Sequence, residues 1–332
     1  MKIRIGFSAL LVLAGVCAAS AQTDTVDSHV IAARKAAGGD FGGLLSAICP
    51  AERGVIAGIG AGRGPRPAGA PAIPDRATWY AKPYRLFDNL YFVGTRIHSA
   101  WVLKTSKGLI VIDTLFDYAI QPEIIDGMKA LKLDPKQIKY VLISHAHGDH
   151  DQGAALLQSK YGAHVVMGGP DWDTTLARPA TYAGGNARKG ADDISVGPDG
   201  TRLTLGDTTV DIMLTPGHTP GTISAIFPVK DHGKTLMVAY SGGTAFNFPH
   251  DKAHFGIYAD SQRKMAAAAA AAGASILMSN HTQWDGAYDK VRLAQLRQPG
   301  EANPYDIGAK AVQNYFTMTQ NCAEAAALEL PK

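Results

Sequence analysis

The sequence has little cysteine, no strong excess of charge of either sign and no long apolar segment. Its 332 residues include 3 cysteines, and 46% of them are hydrophobic and 18% charged. A membrane-spanning helix needs about 20 apolar residues in a row, and no run reaches that length. This ordinary composition excludes a collagen, a coiled coil or a disordered chain, and it predicts a globular protein with a full core.

The first 21 residues have the order of a secretory signal. Lys2 and Arg4 precede the apolar stretch of residues 5–16, and small residues then fill positions 18–21. This order is typical of a signal peptide that is removed, and it predicts cleavage after Ala21. We therefore expect a secreted protein, periplasmic in a Gram-negative source, that makes no membrane contact once the signal is removed.

Charge and cysteine content limit the partners and the metal chemistry. Without Lys2 and Arg4 the chain has 30 basic and 29 acidic residues, a balance that disfavours nucleic acid, whose binding depends on many phosphate contacts. We expect a small-molecule substrate instead. Cys49 and Cys322 remain after cleavage and could form a disulfide in an oxidising compartment, but two cysteines so far apart make no thiolate cluster. A metal site here must use imidazole and carboxylate groups.

The chain divides into an N-terminal extension and one main domain. Residues 22–85 form the predicted extension, because residues 56–74 are rich in glycine, alanine and proline and resist regular structure. From residue 86 to residue 332 we predict one α/β domain. Short β-branched and aromatic runs separated by turn residues predict consecutive antiparallel strands at its start. Later strands alternate with helices, among them a helix at residues 261–272 capped by Gly273, which favours two sheets packed face to face with helices outside.

The segment His145-Ala-His147-Gly-Asp149-His150 carries the strongest functional signal. It follows an apolar strand at residues 140–143 and offers three imidazoles and one carboxylate within six positions. In extended backbone, side chains two residues apart point to the same side, so His145 and His147 are expected to bind one cation together. The intervening glycine permits a turn that directs Asp149 and His150 to a neighbouring position. Imidazole and carboxylate groups suit zinc, although the residue types alone leave iron and manganese open.

Two more histidines follow predicted strands in the same way. His218 lies in a turn-rich segment after a strand at residues 210–214, and His281 follows a strand at residues 276–278. The six donors divide into two sets, predicted to hold two zinc ions: His145, His147 and His218 for the first, and Asp149, His150 and His281 for the second. Three protein ligands leave a coordination position open, as in catalytic zinc sites. Five other histidines, scattered without ligand spacing, are expected to be surface or hydrogen-bonded residues: His98, His164, His232, His250 and His254.

These motifs resemble a known family over residues 86–300. The His-x-His-x-Asp-His segment, followed by Pro-Gly-His-Thr-Pro-Gly at residues 216–221, resembles the metallo-β-lactamase superfamily. Further segments, among them Leu90-Tyr-Phe-Val-Gly-Thr95 and Gly108-Leu-Ile-Val-Ile-Asp113, are most similar to the third subclass of class B metallo-β-lactamases. The resemblance implies a four-layer αβ/βα sandwich and a second zinc held by Asp, His and His ligands.

The same resemblance implies a hydrolase that opens the amide bond of β-lactam antibiotics. A water shared by two zinc ions becomes a hydroxide nucleophile near neutral pH and attacks the amide carbonyl, which the first zinc polarises. Asp149 is the predicted catalytic residue, because it can both bind metal and orient the nucleophile. Asp113, at the end of an apolar strand, is either a hydrogen-bond acceptor that anchors the metal loop or a cap of the next turn.

One loop departs from the superfamily pattern. Superfamily hydrolases such as glyoxalase II and lactonases usually place a metal-bridging aspartate after the strand that here precedes Ser241. The missing carboxylate favours a lactamase-like centre. The lactamase subclass commonly offers serines in this loop for the substrate carboxylate. Here Gly243 and Ala245 stand near their places, and Thr244 and Asn247 are the predicted substitutes for substrate binding.

Three functions follow, in order of preference. The first is zinc-dependent hydrolysis of β-lactams. The second is hydrolysis of another ester, lactone or amide, with little lactam activity. The third is a zinc-binding protein without catalysis whose extension mediates interaction, and the open coordination positions disfavour it because a structural zinc site closes its shell.

Overall fold

The computed structural model describes residues 24–49, 73–179 and 185–331. The predicted signal peptide and most of the Gly/Ala/Pro-rich stretch lie outside these ranges. Within the ranges, no helix combines the length and the apolar character that crossing a membrane requires. The predictions of secretion and of signal cleavage therefore stay predictions.

The strands form a seven-stranded and a five-stranded sheet. The first sheet contains, in spatial and chain order, β1 (Tyr84–Arg85), β2 (Leu90–Phe92), β3 (Trp101–Thr105), β4 (Gly108–Ile112), β5 (Ile138–Leu142), β6 (His164–Gly168) and β7 (Ile194–Val196). The second sheet contains β8 (Thr201–Leu205), β9 (Thr208–Leu214), β10 (Ile223–Asp231), β11 (Lys234–Ser241) and β12 (Ile276–Ser279), in the spatial order β12-β11-β10-β9-β8.

Helices connect the strands and close both ends of the described chain. They are α1 (Val26–Ala37), α2 (Gly42–Ile48), α3 (Arg76–Trp79), α4 (Asp117–Ala119), α5 (Asp126–Ala130), α6 (Gly148–Asp151), α7 (Ala154–Tyr161), α8 (Gly169–Ala177), α9 (Lys252–Ala272), α10 (Thr282–Asp285), α11 (Ala287–Leu296) and α12 (Ala309–Glu329). A π-helical segment (Ile120–Ile125) precedes α5, and a 3₁₀ turn (Pro135–Gln137) precedes β5.

Helix α9 shows how local signals set the ends of a helix. The carboxylate of Asp251 accepts the backbone N–H of His254 at 2.9 Å and caps its start. Gly273 ends it in the left-handed conformation, with φ of 64°, so the predicted glycine cap is confirmed. The helix begins at Lys252 rather than at residue 261, because the aspartate cap lies further upstream than the apolar pattern suggested.

Strand direction brings several strand ends to one edge of the molecule. Strands β1 to β4 are antiparallel, as predicted, and β4 to β7 are parallel. In the second sheet β9, β11 and β12 run in one direction, because β10 is antiparallel to β9 and β11 and β12 is parallel to β11. Backbone hydrogen bonds from Ile223 to Ser144 and from Ser99 to Asn280 join the two edges. The segments that follow β2, β4, β5, β9, β11 and β12 therefore meet.

Three clusters of buried apolar side chains separate four layers. The first lies between the sheets and includes Trp101, Phe227 and Tyr240. The second lies between the five-stranded sheet and helices that include α9 and α12, and the third lies between the seven-stranded sheet and its own helices. Because successive strand side chains point to opposite faces, each sheet serves two of these clusters. The predicted α/β class and four-layer αβ/βα sandwich are confirmed.

The predicted extension packs onto the domain wherever the structure describes it. Helices α1 and α2 contact α12 and bury Ala33 and Leu44 in the second cluster. Trp79 packs edge-on against Tyr118, with ring centroids 5.3 Å apart. Strand β1 pairs with β2, so the sheet begins at Tyr84 rather than at residue 86. Strand pairing, not the change in composition, decides where the sheet starts.

Candidate metal centre

The histidine-rich segment folds back on itself after β5. His147 has extended backbone, with φ of −96° and ψ of 149°, and α6 begins directly after it. Its carbonyl accepts the backbone N–H groups of His150 and Asp151 at 2.9 and 3.0 Å. The turn therefore directs His145 and His147 to one side and Asp149 and His150 to the other, which is the division expected from the spacing.

Three histidines from two segments form the first cluster. One ring nitrogen from each of His145, His147 and His218 lies within 4.8 Å of the other two. The Nε2 atoms of His145 and His218 are 3.0 Å apart. The ring centroid of His147 lies 4.6 Å from that of His145 and 5.0 Å from that of His218. The structure thus brings together the three residues predicted for the first ion.

Hydrogen bonds at Nδ1 determine which ring nitrogen carries the hydrogen in two of these histidines. Nδ1 of His145 donates to the carbonyl of Gly242 at 2.9 Å, and Nδ1 of His218 donates to the carbonyl of Ala245 at 2.8 Å. Because a carbonyl only accepts, each neutral ring presents a lone pair at Nε2. Two lone pairs facing each other across 3.0 Å repel unless a cation lies between them. These residues therefore fit a metal ion.

Burial keeps the imidazoles of the first cluster neutral. It lowers the pKa of His145 well below its usual value, and the neighbouring imidazoles lower that pKa further. Burial likewise lowers the pKa of His218 to about 3 and, against the charge of Asp149, that of His147 to about 4. Neutral imidazole is the form that binds a metal, so this cluster can accept a cation at neutral pH without releasing protons.

The second cluster is arranged around the carboxylate of Asp149. Its Oδ2 lies 3.2 Å from Nε2 of His150 and 3.3 Å from Nε2 of His281. Those two nitrogens are 3.1 Å apart. The three residues predicted for the second ion therefore converge as well. The ring centroids of His145 and His150 are 4.3 Å apart, so the two clusters adjoin.

A histidine that sequence analysis left outside the site also lies here. Nε2 of His98 is 3.5 Å from Oδ2 of Asp149, and His98, Asp149 and His281 have possible ligand atoms within 4.8 Å of one another. His98 was expected to be a surface or hydrogen-bonded histidine, and the structure places it beside Asp149 and His281. A topological signal was available: His98 follows β2, whose carboxyl end lies at the same edge as those of β4 and β5.

Asp113 holds the ring of His150 from the side away from the cluster. Its Oδ2 accepts hydrogen bonds at 2.9 Å from Nδ1 of His150, from the hydroxyl of Tyr240 and from the hydroxyl of Ser144. The backbone of Asp113 has φ of 57°, a conformation that needs such surrounding bonds to persist. Of the two roles considered for Asp113, the acceptor that anchors the metal loop is confirmed.

Two carboxylates determine the protonation of His150. Burial by itself would lower the pKa of His150, but the charges of Asp149 and Asp113 and the hydrogen bonds to them raise that pKa to about 10. Burial would raise the pKa of Asp149, but the charge of His150 and hydrogen bonds hold it well below its usual value. The two carboxylates thus favour the protonated form of His150. Metal binding at its Nε2 would replace that proton.

The two residues predicted to bind substrate are placed differently from each other. Thr244 is 1% exposed. Its hydroxyl is 2.7 Å from the hydroxyl of Tyr315 and 3.2 Å from that of Ser279. The hydroxyl of Thr244 is thus hydrogen-bonded to polar groups inside the protein and does not face a substrate. Its prediction as a substrate ligand is wrong. Asn247 is exposed, and its role stays a prediction.

The loop after β11 approaches the ligands too closely for side chains. A Cβ at Gly243 would lie 2.5 Å from Cβ of His218, and a Cβ at Gly242 would lie 1.8 Å from the carbonyl oxygen of Ile223. A serine cannot replace Gly243 while His218 keeps its place. The polar side chains that the lactamase resemblance led us to expect in this loop are excluded at that position for a steric reason.

The chain is similar to proteins of one known superfamily. The model of the metallo-beta-lactamase superfamily matches residues 93–264, which is more than half of the chain. The protein belongs to this superfamily. Among solved structures, BJP-1, a subclass B3 metallo-beta-lactamase of Bradyrhizobium japonicum, is 28% identical, with 73% of this chain and 92% of that chain covered and a TM-score of 0.59. Native FEZ-1 metallo-beta-lactamase from Legionella gormanii is 25% identical, with 71% and 91% covered and a TM-score of 0.60.

A curated relative that is named as a lactonase is similar over a shorter range. N-acyl homoserine lactonase AttM from Agrobacterium fabrum is 28% identical over 144 residues, which are 39% of this chain and 50% of AttM. The chain spans about half the length of the curated relatives it matches. This metallo-β-lactamase-superfamily protein is thus similar to enzymes of two names, a β-lactamase and a lactonase.

Proposed function

We propose that this protein is a zinc-dependent hydrolase that opens the amide bond of β-lactams, with two zinc ions bound by the two clusters. The observation that carries the proposal is the convergence of both predicted donor sets at one edge of the sandwich. The similarity to BJP-1 and FEZ-1 supports the lactam substrate. When bound, the ions would lower the pKa of a water molecule and polarise the substrate carbonyl.

The side chains of this centre would bind and orient the reacting groups. His145 and His218 offer Nε2 to the first ion, because their Nδ1 atoms donate to carbonyl groups. Asp149, with a side chain 20% exposed, would bind the second ion and orient the attacking water, the dual role predicted for it. Asp113 would keep Nε2 of His150 directed at the second ion through the bond to Nδ1.

A lactone is the second candidate substrate. The similarity to AttM supports it, and a lactone carbonyl can be attacked by the same water. The end of β11 argues against it, since Ser241 stands where lactonases of the superfamily usually have a metal-bridging aspartate. Ser241 is buried and accepts a hydrogen bond from the hydroxyl of Tyr315 at 3.3 Å.

Turnover of three substrates tests the proposal. Zinc-loaded protein is offered a carbapenem, a cephalosporin and an acyl lactone, each with and without EDTA. We expect lactam hydrolysis that the chelator abolishes and added zinc restores. Hydrolysis of the lactone alone would overturn the β-lactam assignment in favour of the second candidate, and hydrolysis of none of the three would overturn both.

A ligand variant links the metal to the activity. His147→Ala is expected to lose metal and to lower kcat/KM at least about 100-fold, because a missing ligand weakens the ion more than a missing orienting partner does. His232→Asn is the matched control: it also removes an imidazole, one that is 79% exposed, and asparagine tolerates the positive φ of that position. Bound metal and turnover are measured for both. Wild-type activity in His147→Ala would contradict its assignment as a ligand.

A further inference from the structure

We propose that His98 is a fourth protein ligand of the second cation, together with Asp149, His150 and His281. This inference rests on the metal-binding role given to the second cluster in the proposed function, and it adds a residue that neither the sequence motif nor the family comparison assigns. The spacing of the donor atoms and the backbone that holds His98 support this role.

Three imidazole nitrogens lie around the Asp149 carboxylate at distances close to those between the ligands of one ion. Zinc bonds of about 2.0–2.1 Å in a tetrahedron place neighbouring ligand atoms about 3.3 Å apart. Around Oδ2 of Asp149, the Nε2 atoms of His150, His281 and His98 lie at 3.2, 3.3 and 3.5 Å. The nitrogens of His150 and His281 are 3.1 Å apart. His98, Asp149 and His281 have ligand atoms within 4.8 Å of one another, and the ring centroids of His98 and His150 are 6.3 Å apart, so these two imidazoles approach the carboxylate from different sides.

The backbone of His98 is joined to that of another ligand. His98 and His281 form an antiparallel β-bridge, and the next residue, Ser99, donates its N–H to the carbonyl of Asn280 at 2.8 Å. The two imidazole centroids are consequently 5.0 Å apart. Because the bridge holds the two segments together without a metal, His98 is preorganised beside the cation position.

The turn before His98 also restricts its position. The hydroxyl of Thr95 accepts the N–H of His98 at 2.8 Å, and the N–H of Thr95 donates to the carbonyl of His98 at 2.8 Å. A Cβ at Gly94 would lie 2.6 Å from that carbonyl oxygen, so the turn requires glycine. Phe116 packs edge-on against the imidazole at 5.2 Å. The ring is thereby held with Nε2 toward Asp149.

A fourth ligand changes which of the two ions has coordination positions open for the substrate. Four side chains would leave fewer positions open at the second ion than three histidines leave at the first. The substrate carbonyl would then bind at the first ion, while Asp149 orients the attacking water beside it.

Metal titration tests His98 without relying on turnover. Cobalt(II) is titrated into metal-free wild type, His98→Ala and the control His232→Asn, and bound metal and ligand-field absorption are recorded at each equivalent. We expect two tight equivalents in wild type and control. In His98→Ala the first equivalent should bind as in wild type, which shows that the variant is folded. The second should bind at least about 10-fold more weakly, with altered absorption, since loss of a ligand weakens binding no less than loss of an orienting residue.

Each other outcome overturns a stated part of this inference. Wild-type affinity and absorption for the second equivalent in His98→Ala would overturn the role of His98 and leave the two-ion centre intact. A single equivalent in wild type would overturn the two-ion centre and the inference together. Should His98→Ala bind neither equivalent, His98→Gln decides: weakening of the second equivalent alone supports the ligand role, and loss of both shows that His98 acts on the whole fold instead. Failure of lactam hydrolysis would not change any of these results.

Discussion

At the scale of single residues, Asp113 shows how a side chain that is not a ligand supports the centre. It is fully buried and accepts hydrogen bonds from His150, Tyr240 and Ser144. Its Oδ1 also accepts the backbone N–H of Ser144 at 2.7 Å, so the carboxylate connects β4 to the segment that carries the ligands. A neutral amide of the same shape cannot accept all these bonds, because one of its two groups only donates.

Asp113→Asn is therefore expected to weaken binding of the second ion about 10- to 100-fold. Tyr240→Phe removes one of the donors to the same oxygen and should weaken it less, which makes it the matched control. Competition with a zinc chelator measures both affinities. If the two variants bound zinc as tightly as wild type, the orientation of His150 would not depend on Asp113.

A buried carboxyl away from the metal centre predicts a pH dependence of stability. Burial raises the pKa of Glu123 to about 8, although the N–H of Ala81 and the charge of Arg76 oppose this. The unfolded chain releases this proton near pH 4.5, so between those values the folded protein holds a proton that the unfolded one has lost. The free energy of unfolding then falls as pH rises from 4.5 through 8.

Glu123→Gln should remove the fall in the free energy of unfolding between pH 4.5 and 8, because the glutamine amide is neutral at every pH. We expect the variant to exceed wild type by about 1–3 kcal/mol at pH 8 and by less at pH 5. Thermal unfolding of both proteins at a series of pH values checks the prediction. Parallel dependence of Tm on pH in the two proteins would contradict it.

At the scale of elements, the neighbouring side chains and backbone restrict which residues the loop after β11 can contain. Gly243 lies against His218, and Gly256 in α9 has no atom within 4 Å of an added Cβ. The two glycines differ in what a methyl group would meet, so they form a matched pair. At the first position the added atom displaces a ligand, and at the second it replaces a residue of low helix propensity.

Gly243→Ala is expected to lower the free energy of unfolding by about 1–3 kcal/mol through overpacking and to weaken the first ion. Gly256→Ala should leave metal binding unchanged and stabilise the helix by up to about 1 kcal/mol. Chemical denaturation and chelator competition measure the two effects. Unchanged metal affinity in Gly243→Ala would mean that the loop moves away from His218 at little cost.

At the scale of the whole molecule, the N-terminal extension and the last helix meet at two cysteines. Cys49 follows α2 and Cys322 lies in α12, and both are buried in the second cluster, where their interaction lowers the pKa of the Cys49 thiol and, with burial, raises that of the Cys322 thiol. Sequence analysis left open whether they pair. The fold now brings them into contact, and the closed loop would span most of the chain.

In an oxidising compartment we expect Cys49 and Cys322 to form a disulfide that stabilises the protein by about 2–4 kcal/mol. Protein cleaved after Ala21 and purified without reductant should then show no free thiol in denaturant. Reduction should lower Tm, and a Cys322→Ser variant, without the bond, should not respond to reductant. Two reactive thiols in the unreduced protein would contradict the pairing.

Much of the site could be inferred from residue order because its signals are local. The spacing of His145, His147, Asp149 and His150 places donors on two sides of one turn whatever the rest of the chain does. Runs of β-branched residues and the Gly273 cap likewise act within a few residues, and they predicted strands and a helix end that the structure confirms.

The tertiary structure alone decided the features that depend on partners distant in sequence. His98 lies beside the second cluster because a β-bridge holds it next to His281, and Thr244 points inward because its hydroxyl shares a hydrogen bond with that of Tyr315 in α12. His281 and Tyr315 lie far along the chain from these residues, so the local sequence pattern does not predict either contact. Residue order determines which donors exist and which neighbours share a turn, whereas sheet pairing and strand direction determine which distant donors reach the same ion.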